Sequence, residues 1–142
     1  MNFARIALAS LGAFVAYFVV GGLSFVLVPS LKTEFLKYPN VYRPQEGIKA
    51  VMPVGMVFMF IAIVALAVIY AMLDRSATSG VRSGALFGVL VGIYAIGSFV
   101  VHNYVDLQIG IMLTVQQSIA YFVEWVVVGT VIGLIYQPRY HG

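Results

Sequence analysis

Four long stretches free of charge decide what this chain can fold into. Twenty-six uncharged residues separate Arg5 from Lys32, 24 separate Lys49 from Asp74, and 23 separate Arg82 from Asp106. Between Asp106 and Arg139 lie 32 residues, among which Glu124 is the one charge. A helix needs about 20 apolar residues to cross the hydrocarbon core of a bilayer. Spans are therefore expected at about 5–28, 51–73, 82–104 and 111–136. The runs lack the alternation of an outer-membrane barrel strand. Backbone groups in lipid must be paired within the protein, which leaves helices. The expected fold is an all-α integral membrane bundle of four transmembrane helices, packed up-and-down as a single membrane domain over residues 1–142.

Composition narrows the function classes. Hydrophobic residues make up 62% of the chain and charged residues 9%, against roughly 45–50% and 25% in soluble domains. That excludes a disordered chain and a nucleic-acid binder. With no cysteine, disulfides, thiolate zinc, iron–sulfur clusters, cysteine nucleophiles and c-type haem attachment are excluded as well.

The first span follows a short basic start, Met1 to Arg5, as a signal peptide would. Its apolar run is about twice the 7–15 residues of a signal-peptide core, so a retained signal-anchor helix is expected. Orientation rests on a tied count. Arg5, Arg75, Arg82 and Arg139 lie on one side, and Lys32, Lys37, Arg43 and Lys49 on the other. The last loop, His102 to Gly110, is acidic, while the middle loop "LDRSATSGVRSGA" is short and basic. The positive-inside rule then favours cytoplasmic termini, in a bacterial inner membrane.

The segment Pro29–Val51 is the one sizeable loop. Pro29 and Ser30 suit a helix start, and Leu31, Phe35 and Tyr38 fall on one face. A short interfacial helix in the headgroup region is expected here, ended by Pro39; an ordinary loop with aromatic anchors is the alternative.

Helices in lipid associate by close packing and hydrogen bonds, so small residues mark their contacts. The third span carries Gly84, Gly88 and Gly92, and the fourth Gly129 and Gly133. These rows are expected inside the bundle, with an oligomer contact as the alternative. The second span, without a polar side chain from Val54 to Ile69, is expected to be the most lipid-exposed.

Polar residues gather in the last two spans. Tyr94, Ser98 and His102 recur every four residues. Thr114, Gln117, Tyr121 and Glu124 fall within an arc of about 80°. A hairpin turning near Leu107–Gln108 brings Tyr94 level with Tyr121 and Glu124, Ser98 with Gln117, and His102 with Thr114. The two stripes are expected to face each other as one polar seam. Glu124 stands halfway along its span, where an ionised carboxylate costs several kcal/mol unless paired. Intramembrane acids mark proton relays and cation sites, or else hydrogen-bond to hold a bundle together. Trp125, about 100° around from Glu124, is expected in a bundle or oligomer contact.

His102 can hydrogen-bond Asp106 four residues on. As a haem or pigment ligand it would lack a partner, because the second histidine, His141, belongs to the opposite membrane side. No cofactor and no metal site are expected. The chain has no G-x-S-x-G, no P-loop and no metalloprotease-type His/Asp cluster. The segments "FVVHNYVDLQIG" and "EWVVVGTVIGLIYQP" resemble small bacterial four-helix integral membrane proteins. That resemblance implies the four-helix architecture and carries no activity.

The residues thus point to a non-catalytic, helix-packing accessory subunit or scaffold, with the lipid bilayer and other membrane subunits or a homo-oligomer as partners. The alternative is a proton- or cation-coupled small carrier or channel using Glu124. Cysteine-accessibility mapping is expected to place residues 45 and 105 on the same side of the membrane; opposite sides would break the even-span topology.

Overall fold

The structure, a computed structural model, describes residues 1–73 and 80–136. They form five helices: α1 (Phe3–Leu27), α2 (Pro29–Leu36), α3 (Gln45–Leu73), α4 (Val81–Asp106) and α5 (Ile111–Ile135). There is no strand among the described residues. Helices α1, α3, α4 and α5 are each long and apolar enough to cross a membrane, and the chain is a multi-pass bundle of four such helices. Most of the middle loop, with Arg75, and the C-terminal residues Arg139 and His141 lie outside the described residues.

Charge gaps locate a bilayer crossing, not a helix end, and α3 shows the difference. It begins at Gln45, not near 51, with Glu46 and Lys49 in its first turns. The Ile48 amide donates to the Pro44 carbonyl at 3.0 Å. Winding therefore starts in the headgroup zone, where charge is tolerated. At the start of α1 the Asn2 side chain caps the Arg5 amide at 3.2 Å, and α2 opens with Pro29 in its first turn. There the missing proline N–H would have had no partner in any case.

Helix α5 is the centre of the bundle, with α4 on one side and α1 on the other; α3 packs chiefly on α1. The contact between α4 and α5 is backbone against backbone. A Cβ added at Gly88 would come within 2.5 Å of the Trp125 carbonyl oxygen and 2.8 Å of the Val126 Cα. One at Gly129 would come within 2.5 Å of the Gly88 Cα, and one at Gly133 within 2.6 Å of the Gly84 Cα. A Cβ on Gly84 would run into the Gly129 carbonyl, and one on Gly92 would lie 3.1 Å from the Phe122 ring. Both glycine rows therefore interlock inside the chain. Gly80 enters α4 with φ +140°, a conformation that L side chains rarely adopt.

Helix α3 is the least embedded. Its buried residues, Ile63, Ala67, Tyr70 and Ala71, sit in its last three turns. Val54, Val57, Phe58 and Ile61 are exposed. The second and third spans, which an up-and-down bundle places side by side, meet where Tyr70 touches Phe87 edge-on at 5.4 Å. Tyr70 also meets Tyr136, ring centroids 6.3 Å apart.

The expected interfacial helix is α2, but its apolar face is not left to the headgroups. Leu31 is buried with Ile109 and Leu113, and Phe35, Tyr38 and Tyr42 pack around them. The Gly110 amide donates to the Tyr38 hydroxyl at 2.8 Å, and Gln116 Nε2 to Ser30 Oγ at 3.1 Å. The turn between α4 and α5 offers apolar surface within reach, so α2 folds onto it and caps that end of the bundle. On its outer side Lys37 pairs with Glu34, which holds the ammonium above the usual lysine range.

Gly88→Ala is expected to lower stability in detergent by about 1–3 kcal/mol, because the methyl meets backbone that cannot rotate away. Gly55 has open space around it, so Gly55→Ala is expected to be neutral or stabilising by up to about 1 kcal/mol. Equal thermal midpoints for the two variants would contradict the interlocked contact.

Candidate functional site: a buried carboxyl at mid-bundle

Glu124 sits near the middle of α5 and is 6% exposed. It faces α1. A Cβ added at Gly21 would lie 3.2 Å from Glu124 Oε1, so the absent side chain at Gly21 makes the room for the carboxyl. Tyr17, one turn earlier on the same face of α1, sets its hydroxyl against the Glu124 carboxyl and the Tyr121 hydroxyl. The Tyr17 ring packs on Trp125 at 5.5 Å, and the Phe99 ring of α4 lies 5.7 Å from that of Tyr121. Trp125 is thus a contact within the bundle. Among the described residues Lys37 forms an ion pair with Glu34 and the His102 imidazole lies near the Asp106 carboxylate, and neither contact includes Glu124. The carboxyl is held by phenols and a glycine face, without a counter-charge among the described residues.

The fourth-span stripe faces inward: Thr114, Gln117 and Glu124 are buried, and Tyr121 is half-buried. Thr114 donates to the Gly110 carbonyl at 3.3 Å. Gln117 Oε1 and the Tyr42 hydroxyl are buried without a hydrogen-bond partner. Tyr42, from the segment that follows α2, is within electrostatic reach of Tyr121.

The third-span half of the expected seam is corrected. Tyr94 is 74% exposed, and Ser98 and His102 are exposed too. The expected level is right, since Gly92 lies against Phe122; the rotation is not. Close packing takes the glycine face, and Tyr94 stands two residues past Gly92, about 200° around the helix. The Ser98 hydroxyl bonds the Tyr94 carbonyl of its own helix at 2.7 Å. A π-helical turn, Ile96–Val100, follows. His102 Nε2 lies 3.6 Å from Asp106 Oδ2 at the exposed end of α4. Among the described residues no group of three or more His, Asp and Glu is placed to hold a metal.

The partner that sequence reasoning missed is Tyr17. A signal was present: Ser10, Tyr17 and Ser24 recur every seven residues, with Gly21 between the last two. A heptad spacing keeps one side of a helix pointed at its neighbours. Ser10 is buried and bonds the Ile6 carbonyl, and Ser24 bonds the Val20 carbonyl. Their hydroxyls are satisfied within α1, which leaves Tyr17 to meet the carboxyl.

No protein-family model, curated protein or solved structure matches this chain.

Proposed function

We propose that the chain is a small proton- or cation-coupled membrane carrier or channel, with Glu124 as the group that takes up and releases the proton or cation. The observation that supports this reading is the placement of Glu124: mid-bundle, 6% exposed, against Tyr17 and Tyr121, with no ion-pair partner among the described residues. A carboxyl in such a site exchanges charge with water only along polar neighbours, because the ionised form is expensive in an apolar interior. Phenolic hydroxyls donate to a carboxylate and accept from a carboxylic acid. Tyr17 therefore serves both forms without repacking. The interlocked α4–α5 pair supplies a rigid wall, and α3, packed over its last turns, is the helix freest to shift. The setting proposed with it is a bacterial inner membrane with both termini cytoplasmic, which follows from the acidic last loop and the basic middle loop.

An accessory subunit or scaffold is the second reading, and one observation favours it. Tyr94 and Ser98 face outward around Gly97, where an added Cβ would meet no other side chain or helix within 4 Å. Polar groups on a lipid-facing surface suit a neighbouring helix from another subunit or a second copy. The glycine rows lend that reading nothing, since both are used within the chain. Stable co-purification of other subunits in mild detergent, lost in Gly97→Leu, is the outcome this reading expects.

Glu124→Gln tests the first reading. Gln keeps the shape and hydrogen-bonding capacity but cannot titrate. Stability is expected to stay within about 1 kcal/mol of wild type, while pH-driven flux into dye-loaded proteoliposomes falls to the level of protein-free vesicles. Glu124→Leu is expected to destabilise the bundle by about 1–3 kcal/mol by leaving the Tyr17 and Tyr121 hydroxyls unpaired. Wild-type flux in Glu124→Gln would reduce the carboxyl to a packing element.

A further inference from the structure

Helix α5 changes character at Glu124. Towards the end that carries the chain termini, Val128 and Ile132 are 1% and 0% exposed and pack with Ala9, Ala13, Ile63 and Ala67. In that half the buried Ser10 hydroxyl is tied to the Ile6 carbonyl at 2.8 Å, and the Thr130 hydroxyl to the Val126 carbonyl at 2.7 Å. Two polar atoms on this side are buried without a partner: Trp125 Nε1, whose ring packs on Tyr17, and the Tyr70 hydroxyl at the far end of α3 beside Tyr136. A stretch of tightly packed aliphatic side chains separates that hydroxyl from the carboxyl. Towards the α2-capped end the same face of α5 carries Tyr121, Gln117 and Thr114, the last about 15 Å of helix from Glu124. There the Gln117 Oε1 atom and the Tyr42 hydroxyl are buried and unpartnered.

We propose that Glu124 communicates with water from one side only, through a hydrated polar inlet that enters beneath α2 at Tyr42 and passes Gln117 and Tyr121. The inference deepens the reading of Glu124 as the exchanging group and rests on it. Leaving a buried acceptor unsatisfied costs about 1–3 kcal/mol. Internal water recovers that where several polar groups converge. Gln117 is 9% exposed, too buried to reach bulk solvent, and stands one turn from Tyr121 on the path to Glu124. Water bonded to its Oε1 bridges the loop side and the tyrosine pair. Among the described residues of the opposite half, the Ser10 and Thr130 hydroxyls are satisfied within their own helices, and the aliphatic packing of Val128, Ile132, Ile63 and Ala67 leaves no continuous polar row from the carboxyl to the Tyr70 hydroxyl.

The groups facing the carboxyl are few. Helix α1 contributes Tyr17 and α5 contributes Tyr121. The segment after α2 contributes Tyr42, one step further out. In α4, Tyr94 points away, and in α3, Tyr70 lies beyond the aliphatic stretch. The exchange moves one proton. The O–H bond of the Glu124 acid breaks as water in the inlet takes the proton, and a proton arriving by the same row re-forms the acid. Helix α2 closes the mouth through the Gly110–Tyr38 and Gln116–Ser30 hydrogen bonds.

The chain has no cysteine, so single cysteines report access directly in the full-length protein. In nanodiscs, Gln117→Cys is expected to react with a small cationic methanethiosulfonate at least tenfold faster than Val128→Cys. Hydrogen–deuterium exchange of the Glu124 carboxylic acid, followed by its infrared C=O band and identified by its loss in Glu124→Gln, is expected to slow at least tenfold in Gln117→Leu. Gln117→Asn is expected to stay near the wild-type rate. Both readouts work whether or not the protein transports, so absent flux would undo the carrier reading and leave the inlet standing. Labelling of Val128→Cys as fast as Gln117→Cys, or wild-type exchange in Gln117→Leu, would overturn the one-sided inlet.

Discussion

The contact between the glycine rows of α4 and α5 is the constraint on which the rest of the bundle depends. Lipid tails are as apolar as leucine, so burying apolar surface between helices yields little there, and what remains is how closely two backbones approach. Gly84, Gly88 and Gly92 against Gly129 and Gly133 bring the backbones together with no side chain between them. Dispersion is a sum of many small contacts and falls off steeply with a gap of half an ångström. The contact therefore fixes distance, register and rotation together.

Rotation is what matters for the site. With the glycine face of α4 turned towards α5, Tyr94 is turned away, although it sits at the right depth. The face of α5 that carries Glu124 is thereby left to α1. That helix answers with a hole at Gly21 and a phenol at Tyr17. A carboxyl in a low-dielectric interior needs partners that suit both of its forms, and a phenol is such a partner where a lysine or arginine would fix the charge. The site arises from three helices, with α4 acting only as the wall that sets the azimuth of α5.

The two ends of the bundle differ in kind. One half of the central contact is aliphatic, built from Val128, Ile132, Ile63 and the alanines of α1. The other has polar side chains on α5 and a lid, α2, whose apolar face lies on Ile109 and Leu113 instead of in lipid. The lid's place follows from the α4–α5 hairpin: the turn exposes those two side chains at the edge of the bundle, and α2 is tethered to α1 by a single residue, Val28.

The sequence by itself determined the helical class, the four crossings, the short helix after the first and the glycine rows as contact surfaces. The reason is local: charge is excluded from hydrocarbon, backbone must pair within its own segment, and small residues at helical spacing mark close approach. Helix ends were less legible, as α3 shows by starting at Gln45 where headgroup water tolerates Glu46 and Lys49. Which residues meet Glu124 was decided by the tertiary structure alone. Periodicity assigns Tyr94, Ser98 and His102 to one face of a helix, but it does not say what that face is turned towards. That orientation followed from competition between a polar stripe and a glycine stripe for the same neighbour. Glycine won, because Ser98 satisfies its hydroxyl within its own helix, whereas the close backbone contact exists only where no side chain intervenes.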